Sequence, residues 1–202
     1  MEFDKALIAG KLRRWEKYID RFRLPDWESI PDIGLYMEQV LLLLRDYFDY
    51  IPPELVEEDL ITAAAINNYV RKKVIPEPQK KKYYRLHIAY LIIICLLKQM
   101  LSITMIQRFM PLGLSEEEAR EKYNRYAGLQ HVATENFVEG VRMAGGKILD
   151  HKDAPAGAAE STEDLIMVSV IYGGLARVLA DKLLHLEGKT LEDGGSIAIE
   201  EA

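Results

Sequence analysis

The run IAYLIIICLL, Ile88–Leu97, constrains this chain more than any other stretch. Ten uncharged residues ask to leave water, yet a helix needs about 20 to cross a bilayer. A helix that is apolar almost all round is buried on several sides by other protein. The stretch from about Leu86 to Leu101 therefore predicts a central helix, packed against one spanning Leu35–Tyr50 and against C-terminal helices. Cys95 lies within it and reads as a small core residue with an unreactive thiol.

The neighbouring patterns are helical too. Leu7, Ile8, Leu12, Trp15 and Ile19 recur at helical spacing, and Pro25 and Pro31 close that segment. Thr62 predicts an N-cap, and Ser102 a second one. Ser115 with Glu118, and Ser161 with Asp164, have the spacing of capping boxes. The fold class expected is all-α. Leu165–Leu186 has the length of a membrane span but contains Arg177, Asp181 and Lys182, so no membrane helix is expected. The N-terminus lacks the basic-then-apolar order of a signal peptide, and the single cysteine forms no disulfide within the chain. A cytoplasmic location is the expectation.

Charge is unevenly distributed. The 202 residues sum to −6, but Ala64–Arg85, AAINNYVRKKVIPEPQKKKYYR, holds seven cations against Glu77 alone. That is 7 − 1 = +6, so the remainder sums to −12. On a helical wheel from Thr62 to Lys73, Ala63, Ile66, Tyr69 and Val70 share one side. Ala64, Asn68, Arg71 and Lys72 share the other, with Asn67 on the flank. Asn pairs bidentately with adenine and Arg with guanine in a major groove that admits one helix. Pro76 and Pro78 then break the helix into a short extended wing, with Lys80, Lys81 and Lys82 available to phosphates. Helix, basic wing and apolar helix keep the order of a winged helix-turn-helix. A run of lysines is also what a solvated face looks like, and Asn-Asn is common in turns. The coincidence of charge reversal with this punctuation favours DNA.

Catalytic and metal readings fail on spacing. His87, His131, His151 and His185 are scattered, and none comes three residues after a Glu. His131 and Glu135 make one isolated helical pair. Gly140–Lys147 has Gly146 where a phosphate loop needs its Lys, and Ile148 where it needs Ser or Thr. No enzyme activity, cofactor or metal is expected.

LPDWESIPDIGLYMEQVLLLL, together with LITAAAINNYVRKKVIPEPQKKKYYRLHIAYLIIICLLKQMLSI, resembles a bacterial family, domain of unknown function 1836, over about residues 24–108. The resemblance implies a MerR-like helix-turn-helix and a bacterial DNA-binding regulator. Carried over, Thr62–Lys73 is the recognition helix and Pro76–Lys82 the wing. Lys82-Tyr83 stands where MerR-type proteins have an Arg-Tyr pair. One departure is the eleven-residue IPPELVEEDLI between Tyr50 and Thr62, where a helix-turn-helix uses a turn of roughly 3–4 residues. Its acids Glu57, Glu58 and Asp59 would favour the helix dipole but repel phosphate.

The organisation expected is an N-terminal helix over 1–23, a winged helix-turn-helix over 24–110, a C-terminal helical hairpin over 111–188, and an acidic tail over 189–202. Gly145–Ser161 reads as a linker. The stripe Leu165, Val168, Tyr172, Leu175, Leu179 and Leu183 suits a hairpin, a homodimer interface or a pocket for a small-molecule effector. The function expected is a sequence-specific double-stranded DNA-binding regulator, a repressor more simply than an activator. Asn67, Asn68, Arg71 and Lys72 would meet bases. Thr62, Lys73, Lys80, Lys81, Lys82, Tyr83 and Arg85 would meet the backbone. The alternative is a protein-interaction adaptor whose basic strip receives an acidic partner, with RNA binding a weaker third reading.

Overall fold

The computed structural model describes residues 2–49, 51, 61–149, 154–190 and 192. Among them are seven α-helices: α1 (Lys5–Ile19), α2 (Met37–Tyr47), α3 (Ala63–Arg71), α4 (Arg85–Leu97), α5 (Ile103–Phe109), α6 (Glu116–Ala144) and α7 (Thr162–His185). Isolated bridges, Leu35 with Tyr83 and Gln79 with Lys82, are the β-pairing among the described residues. No helix among them is long and apolar enough to cross a membrane. Tyr50, the acids Glu57, Glu58 and Asp59, and most of the tail expected over 189–202 lie outside the described residues.

The chain divides into two compact units, Lys11–Gly140 and a second made of Met1–Gly10 with Val141–Ala202. In the first, α4 is the axis, with every residue from His87 to Cys95 buried. Helices α2 and α5 pack on it, and α3 packs on α2. Tyr123 of α6 completes the core, its ring edge-on to Trp27 at 5.9 Å and its hydroxyl donating to the Pro25 carbonyl at 2.7 Å. Burying a tyrosine requires such an acceptor. Tyr90 of α4 finds the Pro111 carbonyl at 2.6 Å for the same reason.

The expected caps form. Ser102 accepts from the Met105 amide at 3.3 Å, and Glu118 Oε2 takes the Ser115 amide at 2.8 Å. Asp164 closes the second box on the Ser161 amide at 3.0 Å. Helix α4 stops at Leu97, short of the expected Leu101. The Leu97 carbonyl accepts from both Met100 and Leu101, so the chain turns before Ser102 starts α5.

In the second unit, described residues of the segment expected as a linker are packed, and residues 150–153 of it lie outside the described residues. Ile148, Leu149, Ala158 and Ala159 are buried, and the Ala159 amide reaches the Ala144 carbonyl at 2.8 Å. Gly146 permits this, since a Cβ there would lie 2.9 Å from that of Ala154. A Gly- and Ala-rich composition here serves close packing rather than solvation. On α7, Leu165 is buried but Tyr172, Leu175, Leu179 and Leu183 are 58–62% exposed. The stripe expected to seal a C-terminal hairpin is mostly unburied.

Candidate functional site

Helix α3 is short and held at both ends by its own sequence. Thr62 has extended backbone and its Oγ1 accepts from the Ala65 amide at 3.1 Å. That satisfies one of the amides a helix start leaves unpaired. Ile66 and Tyr69 are buried against the core, as the wheel requires. Asn67, Arg71 and Lys72 are exposed, while Asn68 is half-buried. Arg71 Nη2 donates to Asn68 Oδ1 at 2.8 Å, so those two present themselves as one amide–guanidinium unit.

The exit from α3 is a Schellman motif: the Lys73 amide bonds the Val70 carbonyl at 3.0 Å and the Val74 amide bonds that of Tyr69 at 2.8 Å. The position that needs left-handed backbone, where glycine is usual, is Lys73 with φ 53°. Val74 and Ile75 then enter the core and anchor the basic hairpin to it.

The wing expected as an extended loop is instead a tight hairpin. The Gln79 and Lys82 amides each bond the other's carbonyl, at 3.0 and 2.9 Å. The two residues between them, Lys80 and Lys81, have φ 50° and 65°. Positive φ at both central positions marks a type I′ turn, which normally takes Asn-Gly. Tyr83 continues the hairpin into the fold, exchanging backbone bonds with Leu35 at 2.9 and 2.8 Å. His87 of α4 braces its base. Its Nδ1 accepts the Tyr84 amide at 3.1 Å, and its Nε2 lies 3.0 Å from the Glu77 carbonyl. An amide on one nitrogen and a carbonyl on the other put the proton on Nε2.

The predicted site residues therefore separate. Lys80 and Lys81 at the tip, and Lys73 at the helix exit, are exposed. Lys82 is half-buried; its stem runs over Gly34 and its Nζ sits 5.3 Å from the centre of the Tyr36 ring. A cation held over a ring face is partly engaged already. Tyr83, expected at a nucleic-acid backbone, is buried in the core, where burial also raises its phenol pKa. Arg85 is likewise turned inward. Its Nε donates to the Ile30 carbonyl at 2.9 Å and its Nη1 meets Glu28 at 3.3 Å. Arg120 shares that carboxylate at 3.0 Å. Tyr83 and Arg85 are thus engaged within the fold. Thr62 is exposed, with its hydroxyl committed to the cap.

Sequence reasoning missed His87, whose only signal was a polar residue at the head of an apolar run. It also missed Gln107 of α5, whose Nε2 donates to the Lys73 carbonyl at 3.1 Å. Among the described residues no three His, Cys, Asp or Glu side chains stand close enough to share a metal. The pair noted on α6, His131 and Glu135, lies 3.6 Å apart.

Fold and site together define an all-helical protein that displays a cationic hairpin beside a capped polar helix. Residues 25–128 match the family described as domain of unknown function, DUF1836, and the chain belongs to that family. No curated protein and no solved structure matches the chain.

Proposed function

We propose that this protein is a cytoplasmic transcriptional regulator, in the simplest case a repressor, that binds double-stranded DNA through a MerR-like winged helix-turn-helix. Helix α3 is the recognition element, with Asn67, Asn68, Arg71 and Lys72 toward base edges. The hairpin is the wing, with Lys80 and Lys81 on phosphates and Lys73 and Lys82 in support.

One observation carries the reading. The described non-glycine residues with positive φ are Lys73, Lys80 and Lys81, all within the basic segment. Each stands where glycine would be unstrained, and left-handed backbone costs a side-chain residue about 1 kcal/mol or more. A chain that needed only the turns has no reason to carry lysine at all three positions. A chain that needs cations projecting from tight turns does. The exposed stripe of α7 supports assembly as a homodimer, because a two-fold protein reads paired half-sites.

The experiment is a titration of labelled duplex DNA at several salt concentrations. The slope of log affinity against log salt should be steep. In Lys80→Ala/Lys81→Ala it should flatten by about 0.9 for each phosphate no longer neutralised. Asn67→Ala or Arg71→Ala should relax sequence preference at about 1–3 kcal/mol. Duplex affinity indifferent to the two lysines would refute the reading and leave an acidic protein partner for the strip.

A further inference from the structure

The segment Lys11–Arg23, KLRRWEKYIDRFR, is a second cationic one, with six cations against Glu16 and Asp20, 6 − 2 = +4. Arg14, Lys17 and Arg21 are spaced at i, i+3 and i+7, and all three are exposed. The chain keeps turning beyond the end of α1, with the Arg21 amide on the Tyr18 carbonyl at 3.2 Å, so the three share one face. Like charges at this spacing repel one another. Arg23 serves the helix end, its Nη1 donating to the Asp20 and Phe22 carbonyls at 2.8 and 2.7 Å. Arg14 precedes the last turn, where helix-end electrostatics give it no role.

These cations line a cleft of about 560 Å³ in the Lys11–Gly140 unit. Asp46 of α2 and Asp49 just beyond it line the same cleft. Among the described residues, Arg14, Lys17 and Arg21 make no ion pair and no side-chain hydrogen bond. Asp49 takes the Tyr18 hydroxyl instead. Cations and carboxylates brought to one cleft without pairing leave both sets available to a third party. Tyr18, Phe22 and Tyr47 supply the aromatic part of the lining.

We infer that this cleft binds a nucleoside phosphate, with its phosphates on Arg14, Lys17 and Arg21 and the hydrogen-bond donors of its base or sugar on Asp46 and Asp49. Guanidinium groups match phosphate oxygens bidentately. An ionised carboxylate accepts and does not donate, so that part of the cleft takes an amine, amide or hydroxyl and repels further phosphate. The rings of Tyr18 and Tyr47 offer flat apolar surface to a base. The volume is that of sites enclosing small ligands, roughly 300–1,000 Å³. A duplex suits the cleft less well, since its continuous phosphates would be brought against Asp46 and Asp49. The site stands independently of the DNA-binding reading.

Isothermal titration calorimetry of the full chain with GDP and with ADP tests it. At least one should bind saturably at a single site; heat from neither at millimolar concentration overturns the proposal. Pyrophosphate, which has no donors, and the parent nucleoside, which has no phosphate, should each bind about tenfold more weakly. Arg14→Gln with Arg21→Gln should lower nucleotide affinity about tenfold, and its melting temperature should stay near the parent's, because neither side chain has a partner to lose. Asp46→Asn with Asp49→Asn should shrink the preference for nucleotide over pyrophosphate, a ratio that a change in net charge alone leaves in place. Pyrophosphate binding as tightly as the nucleotide, an unchanged affinity in the folded arginine variant, or an unchanged ratio in the aspartate variant overturns the site. Duplex titrations of the arginine variant should keep the parent's salt slope; a flatter slope would assign this face to duplex phosphates and overturn the cleft. A protein that binds nucleotide but no duplex at any salt keeps the cleft and discards the DNA-binding reading, and one that binds duplex but no nucleotide does the reverse.

Discussion

His87 spans two arms of one hairpin: its Nε2 is 3.0 Å from the Glu77 carbonyl and its Nδ1 takes the Tyr84 amide at 3.1 Å. The lysine tip lies between those two backbone groups along the chain. One buried imidazole thus ties the cationic turn to the central helix.

Replacing it tests that tie. His87→Phe keeps an aromatic ring but leaves the Glu77 carbonyl and the Tyr84 amide without their partner, at about 1–3 kcal/mol. The urea midpoint should fall accordingly. Duplex affinity measured well below that midpoint should also fall, because the wing loses its anchor. A normal midpoint would show that the bonds contribute little.

The turn itself offers a trade between stability and binding. Lys80→Asn with Lys81→Gly fits the left-handed backbone both residues adopt. The variant should be more stable by about 1 kcal/mol and bind duplex DNA more weakly. Denaturant unfolding and a binding titration on one preparation measure both. A variant that is less stable than the parent would mean the lysines are not strained.

Glu118 gives a pH signature. Bonds from the Ser115 amide and hydroxyl to its carboxylate, both 2.8 Å, hold its pKa below the usual 4.5. A carboxyl group with a lower pKa folded than unfolded stabilises fully above the unfolded value, and loses that contribution as pH falls through the folded value. Between about pH 5 and pH 3, the melting temperature of Glu118→Gln should therefore drop less than that of the parent. Parallel curves would show that the box contributes no pH dependence.

Cys95 should be silent. Burial pushes its thiol up to about 12, so almost no thiolate exists near neutrality. At a mildly alkaline pH a thiol reagent should label it in denaturant but not in the folded protein over minutes. Fast native labelling would mean that α4 opens readily.

Thr62, Ser102, Ser115 and Ser161 are legible in the sequence as helix starts because a cap uses a side chain and an amide three residues on. The buried side of α3 is legible because periodicity and burial are the same statement on a helix. Tyr83 and Arg85 escape such reasoning, because charge and hydrogen-bonding capacity do not reveal direction. Lys82-Tyr83 continues a cationic run in sequence, yet the pairing of Tyr83 with Leu35 turns one side chain in while the tip projects. Ile148, Leu149, Ala158 and Ala159 are buried where a linker was expected, because small residues suit loops and close packing equally well.

The amino-acid sequence determined the helices, their starts and the site of the positive charge, since each depends on residues within a turn or two of each other. Tertiary structure decided which cations face outward, which lysines bear left-handed backbone, and that His87 holds the hairpin's base. Those outcomes depend on partners far along the chain, such as Leu35 with Tyr83 and Glu28 with Arg85. Such pairings arise only when the core around α4 closes and each polar group must find a partner within reach.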